Sequence, residues 1–359
     1  MSVVVEMYNP RWPEYFQQIK SELEQLLINV DIRSIEHIGS TSVSELAARP
    51  IIDVDVVVTR DNVQTAIDAL VSNGHFTCLG ELGVEDRYAL CDPNQPPERN
   101  IYVCVEGAFQ TRNHLGLRDV LRVNAELREE YGAVKLGLAA RGLDIADYVE
   151  AKNNIIHKIL RTAGFVSEDE LAAIEAASRE RDRRIALQTD RLTLREFVLE
   201  DVPAFHALES IPEVVRYQTW PPKTLEDARK DVVQIIQNSF VDPRAHIELA
   251  VMLEDRFIGR VGAFINPEDS QGKPICPPHT DLWFSFMPEM QGKGFAVEAT
   301  KAFIPTLGSP MTLEIECDPR NTGSWKLAER LGFERVRLIE RAFECKGEWV
   351  GSLVYQKKV

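Results

Sequence analysis

Two stretches of this chain combine residue types and spacings that suit phosphate chemistry. In Met290-Gln291-Gly292-Lys293-Gly294-Phe295-Ala296, the residues Gln291, Gly294 and Ala296 keep the spacing Q/R-x-x-G-x-G/A directly after the run Leu282 to Phe286. Glycines there let the backbone approach a diphosphate, and a helix starting at the turn offers unpaired N–H groups and the positive end of its dipole. Lys293 adds charge. The second stretch runs His37-Ile38-Gly39-Ser40-Thr41, then Arg49-Pro50, then an apolar run from Ile51 to Val58 interrupted by Asp53 and Asp55. Aspartates at i and i+2 of a strand share one face. Carboxylates so close repel, so the pair calls for a cation: a metal ion, or cationic side chains in an ion-pair network. With Mg²⁺, Gly39 and Ser40 would present backbone N–H groups and a hydroxyl to a phosphate while Asp53 and Asp55 hold the ion on it.

The elements around these stretches read as α/β. Leu282 to Phe286 is strand-like, and Val297, Ala299, Ala302 and Phe303 continue the loop into an amphipathic helix. A second strand follows at Thr312-Leu313-Glu314-Ile315-Glu316-Cys317, then Asn321-Thr322-Gly323-Ser324 opens another helix ending at Leu331-Gly332-Phe333. In the first half a short helical stretch is expected around Ser44 to Ala48, ahead of the strand from Ile51. Ser167-Glu168-Asp169-Glu170 has the pattern of a helix start. The expected organisation is therefore residues 1–165 as one domain, 166–187 as a helical linker and 188–359 as a second domain.

The second domain resembles the GNAT N-acetyltransferases over roughly residues 186 to 357. The opening segment Thr189 to Arg195 and Asp201 resemble the branch that acetylates ribosomal-protein N-termini and small amines. The resemblance implies acetyl-CoA as cofactor, with Gln291, Gly292, Lys293, Gly294, Phe295 and Ala296 on its pyrophosphate and Asn321 and Ser324 near the pantetheine and the sulfur. It also implies that two central strands splay and that the Phe286 amide stabilises the thioester oxyanion. A protonated amine needs a base or a water relay. Glu314 and Glu316 alternate with Leu313, Ile315 and Cys317, so they share a face; Glu316 is the candidate base, or else both glutamates pair with basic neighbours on the sheet. Asp281 and Glu248 are fallbacks. The place of the family's tyrosine acid, four residues after Ser324, is Ala328, which leaves the thiolate proton to Ser324, water or the acceptor.

The first domain resembles the GrpB (UPF0157) family over about residues 3 to 163. The resemblance rests on Tyr8-Asn9-Pro10-Arg11-Trp12-Pro13 with Phe16, on His37 to Thr41, on Arg49 to Asp53, on Gly83 with Arg87 and on Asn100 to Val103. Leu117 to Arg122, Tyr131 with Lys135, and Tyr148 with Lys152 extend it. It implies a nucleotidyltransferase-like mixed sheet with helices, with ATP and Mg²⁺ as candidate ligands. Arg87, Arg118 and Lys152 are candidate phosphate partners, or surface salt bridges. Ser42-Val43-Ser44-Glu45-Leu46 departs from the usual A-V-P-G-L, and Asn100 and Tyr102 stand where a third carboxylate would complete a polymerase-type site. His37 either fixes the Gly-Ser turn or is a structural imidazole.

Composition narrows the functional classes. The formal net charge of −15 lies mostly in the first half, and an acidic surface is a poor partner for nucleic acid. No apolar run approaches the roughly 18 residues that span a bilayer, and no signal pattern opens the chain, so a cytoplasmic protein is expected. The six cysteines form no C-x-x-C pair, which argues against a zinc knuckle or a disulfide framework.

The leading expectation is an acetyl-CoA-dependent N-acetyltransferase acting on a small-molecule amine or a peptide N-terminus, with a first domain that binds a nucleotide or selects the acceptor. The alternatives are an ATP-dependent amide-forming enzyme whose first half adenylates a carboxylate, and a CoA- and nucleotide-binding protein without turnover.

Overall fold

The computed structural model describes residues 4–92, 96–141, 152–164, 170, 185–241, 243–268 and 274–359. It divides into two compact units, Met1–Arg183 and Arg184–Val359. Both are mixed α/β structures with helices on the faces of a sheet. Most of the segment expected as a linker lies outside the described residues, as does Tyr148.

The first unit is built on β1 (Ile32–Ile38), β2 (Ile52–Val58), β3 (Thr77–Gly80), β4 (Arg87–Cys91) and β5 (Arg99–Val105), in the order β1-β2-β5-β4-β3. Among the described strands of this sheet only β2 and β5 run parallel. Alternation along β2 sends Ile52, Val54, Val56 and Val58 into one core, with Trp12, Phe16, Ile19 and Leu23 of α1 (Trp12–Leu26) and Val63, Ala66, Ile67 and Leu70 of α2 (Val63–Gly74). Each such fully buried aliphatic chain contributes roughly 1.5–3 kcal/mol. The intervening residues Asp53 and Asp55 face the other way. There α3 (Phe109–Val123), α4 (Ala125–Ala140) and α5 (Asn153–Ala163) build a smaller core around Leu121, Leu127, Tyr131, Ile155 and Ile159.

The helical stretch expected at Ser44 to Ala48 does not form. A single 3₁₀ turn spans Ser40–Ser42, and Ala48 instead pairs with Glu6 as an isolated bridge. Glu45 takes φ +66°, a left-handed conformation from which a right-handed helix cannot continue.

The second unit holds β6 (Ala186–Gln188), β7 (Leu192–Glu196), β8 (His246–Leu253), β9 (Arg256–Glu268), β10 (Pro274–Phe286), β11 (Thr312–Cys317), β12 (Glu334–Cys345) and β13 (Glu348–Lys358). Their order is β12-β13-β11-β10-β9-β8-β7-β6. Helices α6 (Val202–Glu209) and α7 (Leu225–Asn238) cover one face through Phe205, Leu208, Val232 and Ile235. On the other, α8 (Phe295–Phe303) buries Phe295, Ala299 and Phe303 at four-residue steps, and α9 (Thr322–Arg330) buries Leu327 and Ala328.

One feature of this sheet shapes the site. The ladder between β10 and β11 covers His279–Asp281 against Thr312–Glu314 and ends there, although β10 runs on to Phe286 and β11 to Cys317. Beyond that rung β11 keeps its partner β13 and β10 keeps β9, so the sheet opens between its two central strands.

Candidate functional site

The opening is lined by backbone. Met287 N–H donates to the Ile258 carbonyl at 2.9 Å, in register with the pair Phe286–Gly259. Because inward and outward pairs alternate along an antiparallel ladder, the amides of Phe286 and Phe284 turn away from β9, toward the gap left by β11. The Phe286 ring itself is buried in the core.

Directly after β10, a 3₁₀ turn at Pro288–Met290 leads into the loop, and α8 begins at Phe295. Gln291, Gly292, Lys293 and Gly294 are exposed. Gly294 is the N-cap of α8 at φ +84°, and among the described residues no side chain caps the helix, so its first N–H groups are left open. A side chain at Gly294 would be strained by that φ, which explains glycine there. Gln291 does not point to solvent alone: its Nε2 donates to the Phe286 carbonyl at 3.0 Å.

A residue distant in sequence braces this loop. Arg191 Nε donates to Glu298 Oε2 at 2.7 Å, its Nη1 donates to the Lys293 carbonyl at 3.2 Å, and its guanidinium lies 4.4 Å from the centre of the Phe295 ring. Thr189 Oγ1 donates to the other Glu298 oxygen at 2.6 Å. The guanidinium, then, fastens both the turn and the first turn of α8. Asn321 caps α9, its side-chain oxygen accepting from Ser324 N–H at 3.2 Å. The cap leaves its amide nitrogen and one lone pair of the oxygen for other partners.

On the opposite face of the sheet, Glu316 is exposed and accepts from the buried Ser352 hydroxyl. Glu314 accepts from Gln356 Nε2 at 2.8 Å and lies 3.5 Å from His279 Nε2. His279 also meets Asp281 at 3.1 Å, and Asn266 donates to the other Asp281 oxygen at 2.9 Å. The carboxylates of Asp281 and Glu314 and the imidazole of His279 lie close enough to surround one cation. Glu248 is held otherwise. It takes Arg260 Nη1 at 2.5 Å, while Arg260 Nε donates to Glu209 at 3.1 Å and Trp220 Nε1 donates to the second Glu209 oxygen at 3.0 Å. Burial opposes the charge on Arg260, and the two carboxylates more than offset it, raising its pKa above the usual guanidinium range. Glu248 thus has a structural partner, and Trp220 belongs to the same network.

In the first unit the Gly-Ser turn meets the paired aspartates. Gly39 has φ +68°, and a Cβ there would overlap the Asp53 carboxylate. Asp53 stands in register with Asn100, whose Nδ2 donates to it at 2.7 Å. Burial, opposed by that bond, raises the Asp53 pKa. Asp55 is fully buried and shares Oδ2 with His114 Nδ1 at 2.8 Å, with Cys104 beside them; its Oδ1 has no hydrogen-bond partner among the described residues. Where a third acid is missing, an imidazole from α3 faces the pair. A cavity of about 110 Å³ joins Ser40, Thr41, Arg49, Asp53, Asn100, Lys135 and Lys152.

Of the cationic residues singled out in the sequence, only Lys152 lines this cavity. Arg118 binds Glu36 at 2.8 Å and Asp119 at 2.7 Å, and Arg87 lies 4.7 Å from the centre of the Tyr102 ring. Arg49, His114 and Lys135 complete the surroundings. Arg49 and Lys135 stand within stretches that carry the family resemblance, but nothing in their local pattern distinguishes them; His114 gives no sequence signal at all. His37 stacks on Phe16 with ring centres 4.7 Å apart and bonds Thr41, so it props the turn.

Comparison with known proteins matches the two units to separate families. Residues 2–162 match the GrpB protein family, and residues 191–334 match the acetyltransferase (GNAT) domain. A UPF0157 protein of Streptomyces coelicolor is 36% identical over 162 residues, covering 44% of this chain and 82% of that protein. The UPF0157 protein YqkA of Bacillus subtilis is 31% identical over 155 residues, covering 43% of this chain; the chain spans only 45% of that relative's length. An uncharacterized N-acetyltransferase, p20 of Bacillus licheniformis, is 29% identical over 174 residues, covering 47% of this chain and 93% of that protein. Among the described residues no helix is long and apolar enough to cross a membrane.

Proposed function

Since the chain belongs to the UPF0157 (GrpB) family and carries a GNAT acetyltransferase domain beside that unit, we propose that it is an acetyl-CoA-dependent N-acetyltransferase whose acceptor is an amine, either a small molecule or a peptide N-terminus. The observation that carries this reading is the union of a sheet opening with an uncapped helix start at Phe295, nine residues past Phe286. The diphosphate of acetyl-CoA would sit on the N–H groups from Gly292 to Ala296 with Lys293 beside them, and its pantetheine arm would pair with the backbone exposed in the opening.

The Phe286 amide then donates to the thioester oxygen, whose negative charge grows as the amine attacks. Glu316, exposed on β11 and oriented by Ser352, takes the acceptor proton directly or through water. Collapse of the tetrahedral intermediate expels the thiolate, which Ser324 or water reprotonates. Asn321 orients the arm next to the sulfur.

For the first unit we propose a nucleotide phosphate held at Gly39 and Ser40, with a divalent ion on Asp53 and Asp55. The half-buried Asp53 carboxylate, which lines the cavity, and the Asp55 oxygen that has no partner among the described residues fit an oxygen-preferring ion such as Mg²⁺. With two carboxylates, the ion would draw the rest of its shell from water and substrate.

Labelled acetyl-CoA offered with pools of amines and peptides, with and without ATP, tests the whole reading. Label transfer without ATP is the expected result. Amide formation only in the presence of ATP and a carboxylate would replace it with an adenylating ligase, and CoA retention without turnover would replace it with a binding protein.

A further inference from the structure

The cavity of the first unit gathers three cationic side chains, Arg49, Lys135 and Lys152, around one lining carboxylate, Asp53. Lys135 comes from the middle of α4 and is 2% exposed, yet its Nζ has no hydrogen-bond partner among the described residues. Its Nζ lies 4.2 Å from the centre of the Tyr131 ring. A buried amine with no hydrogen-bond partner is costly, and costlier still when protonated, so a lysine kept in such a place needs a reason in the ligand rather than in the fold.

We propose that this cavity is an oxyanion site that seats one phosphoryl or free phosphate group on Lys135, Lys152, Arg49 and the Ser40 turn, without a metal ion. The proposal rests on the reading that Ser40 faces a phosphate, and it adds Arg49 and Lys135 to that site. The volume supports a small ligand. At about 110 Å³ the cavity has room for a tetrahedral oxyanion. The charges support an anion. Burial and then the neighbouring Lys152 hold the Lys135 amine at about 6, and burial, countered by Asp53 and reinforced by Arg49, holds Lys152 at about 8. The surroundings disfavour the protonated form of both lysines, and a bound anion would favour it, drawing a proton onto Lys135. The turn supplies the rest: Gly39 in its left-handed conformation lets the chain pass against Asp53 and turns Ser40 to the cavity.

Calorimetric titration of the full chain with inorganic phosphate and with AMP, in EDTA, tests this. One-to-one binding of either probe is expected, weakened at least tenfold in Lys135→Met, whose apolar side chain keeps the shape and removes the unpartnered amine. Thermal melting without ligand should show Lys135→Met as stable as the parent chain or more so, and phosphate should raise the melting temperature of the parent only. Should that variant fail to fold, Lys152→Met serves with the same expectation. Binding that survives both substitutions overturns the proposal, and so does the absence of binding by either probe. ATP binding seen only with Mg²⁺, and no phosphate binding in EDTA, would overturn this inference and leave the nucleotide reading standing. Phosphate binding that persists in Asp53→Asn/Asp55→Asn, with Mg²⁺-ATP binding lost, supports both.

Discussion

Asp281 and Glu314 face each other on the last rung that joins β10 to β11, and past that rung the two strands part. Two carboxylates directly opposed on neighbouring strands repel, and here His279 stands between them, 3.1 Å from one and 3.5 Å from the other. The end of the ladder thus coincides with an acidic, imidazole-bridged rung on the face that Glu316 shares. That face suits a protonated amine approaching the opening.

Acetyl-CoA affinity should depend on Gly294. Valine there must adopt φ near +84°, where a β-branched residue is strongly strained, at a cost of about 1–3 kcal/mol or a distorted helix start. Calorimetry should read a loss of tenfold or more, and unchanged affinity would remove the loop from the cofactor site.

Arg191→Ala should loosen the same loop from a distance. The substitution removes the bonds to Glu298 and Lys293 while touching no part of the catalytic face. The expected outcome is a several-fold weaker acetyl-CoA complex with turnover of the saturated enzyme preserved, read as a rise in KM without a matching fall in kcat.

Glu316→Gln should lower kcat by roughly 10²-fold while acetyl-CoA binding changes little, the range expected for a positioned base. A pH–rate profile that is superimposable on that of the parent would assign proton removal to solvent.

The double substitution Asp53→Asn/Asp55→Asn should abolish Mg²⁺-dependent ATP binding and leave acetyl-CoA binding intact, since the two sites belong to separate units. Equilibrium dialysis with each ligand checks both halves. ATP binding that keeps its metal dependence would make the aspartates structural.

Stability of the first unit should fall as pH drops from about 6.5 to about 4. Burial, with Arg122 and Arg118 nearby, depresses the His37 pKa to about 4. Between the unfolded and folded values the unfolded chain binds a proton that the folded chain refuses, so stability rises with pH in that window and is lost below it, by up to about 3 kcal/mol. Denaturant titrations at pH 7 and 4.5 should show a smaller loss in His37→Gln than in the parent; equal losses would mean that His37 takes no part.

Removing Arg260 alone should be among the most damaging single changes in the second unit. Glu209 and Glu248, both almost fully buried, would lose their shared counterion. Breaking a buried pair from one side costs about 3–5 kcal/mol, so Arg260→Met should lower the thermal midpoint by several degrees or prevent folding, and a midpoint within a degree of the parent would contradict the assignment.

Local pattern made a good part of this molecule legible. The alternation in Ile52 to Val58 predicted that Asp53 and Asp55 would share a face, and the glycine spacing after Phe286 predicted a loop at a helix start; both are found. Glu314 and Glu316 share a face as their alternation requires. What stayed hidden depends on partners far along the chain. Arg191 reaches a loop about a hundred residues away, Lys135 arrives at the Gly39 turn on a separate helix, and Arg260 gathers acids from α6 and β8. None of these carries a spacing signature, because tertiary packing alone brings them together. Ser44 to Ala48 failed for a local reason instead: propensity did not foresee that Glu45 would take a left-handed conformation.

The clasp from Gln291 to the Phe286 carbonyl makes the site a gauge. In the proposed acetyl-CoA complex it would tie the grip on the diphosphate to the strand end whose amide meets the acyl group, and so fix the span between them. Only a thioester carried on an arm of the matching length can have its two ends seated together. Under the proposed function, acyl donors shortened or lengthened by a few bonds should still dock at one end and yet react poorly, so that carrier length would be selected along with acyl chemistry.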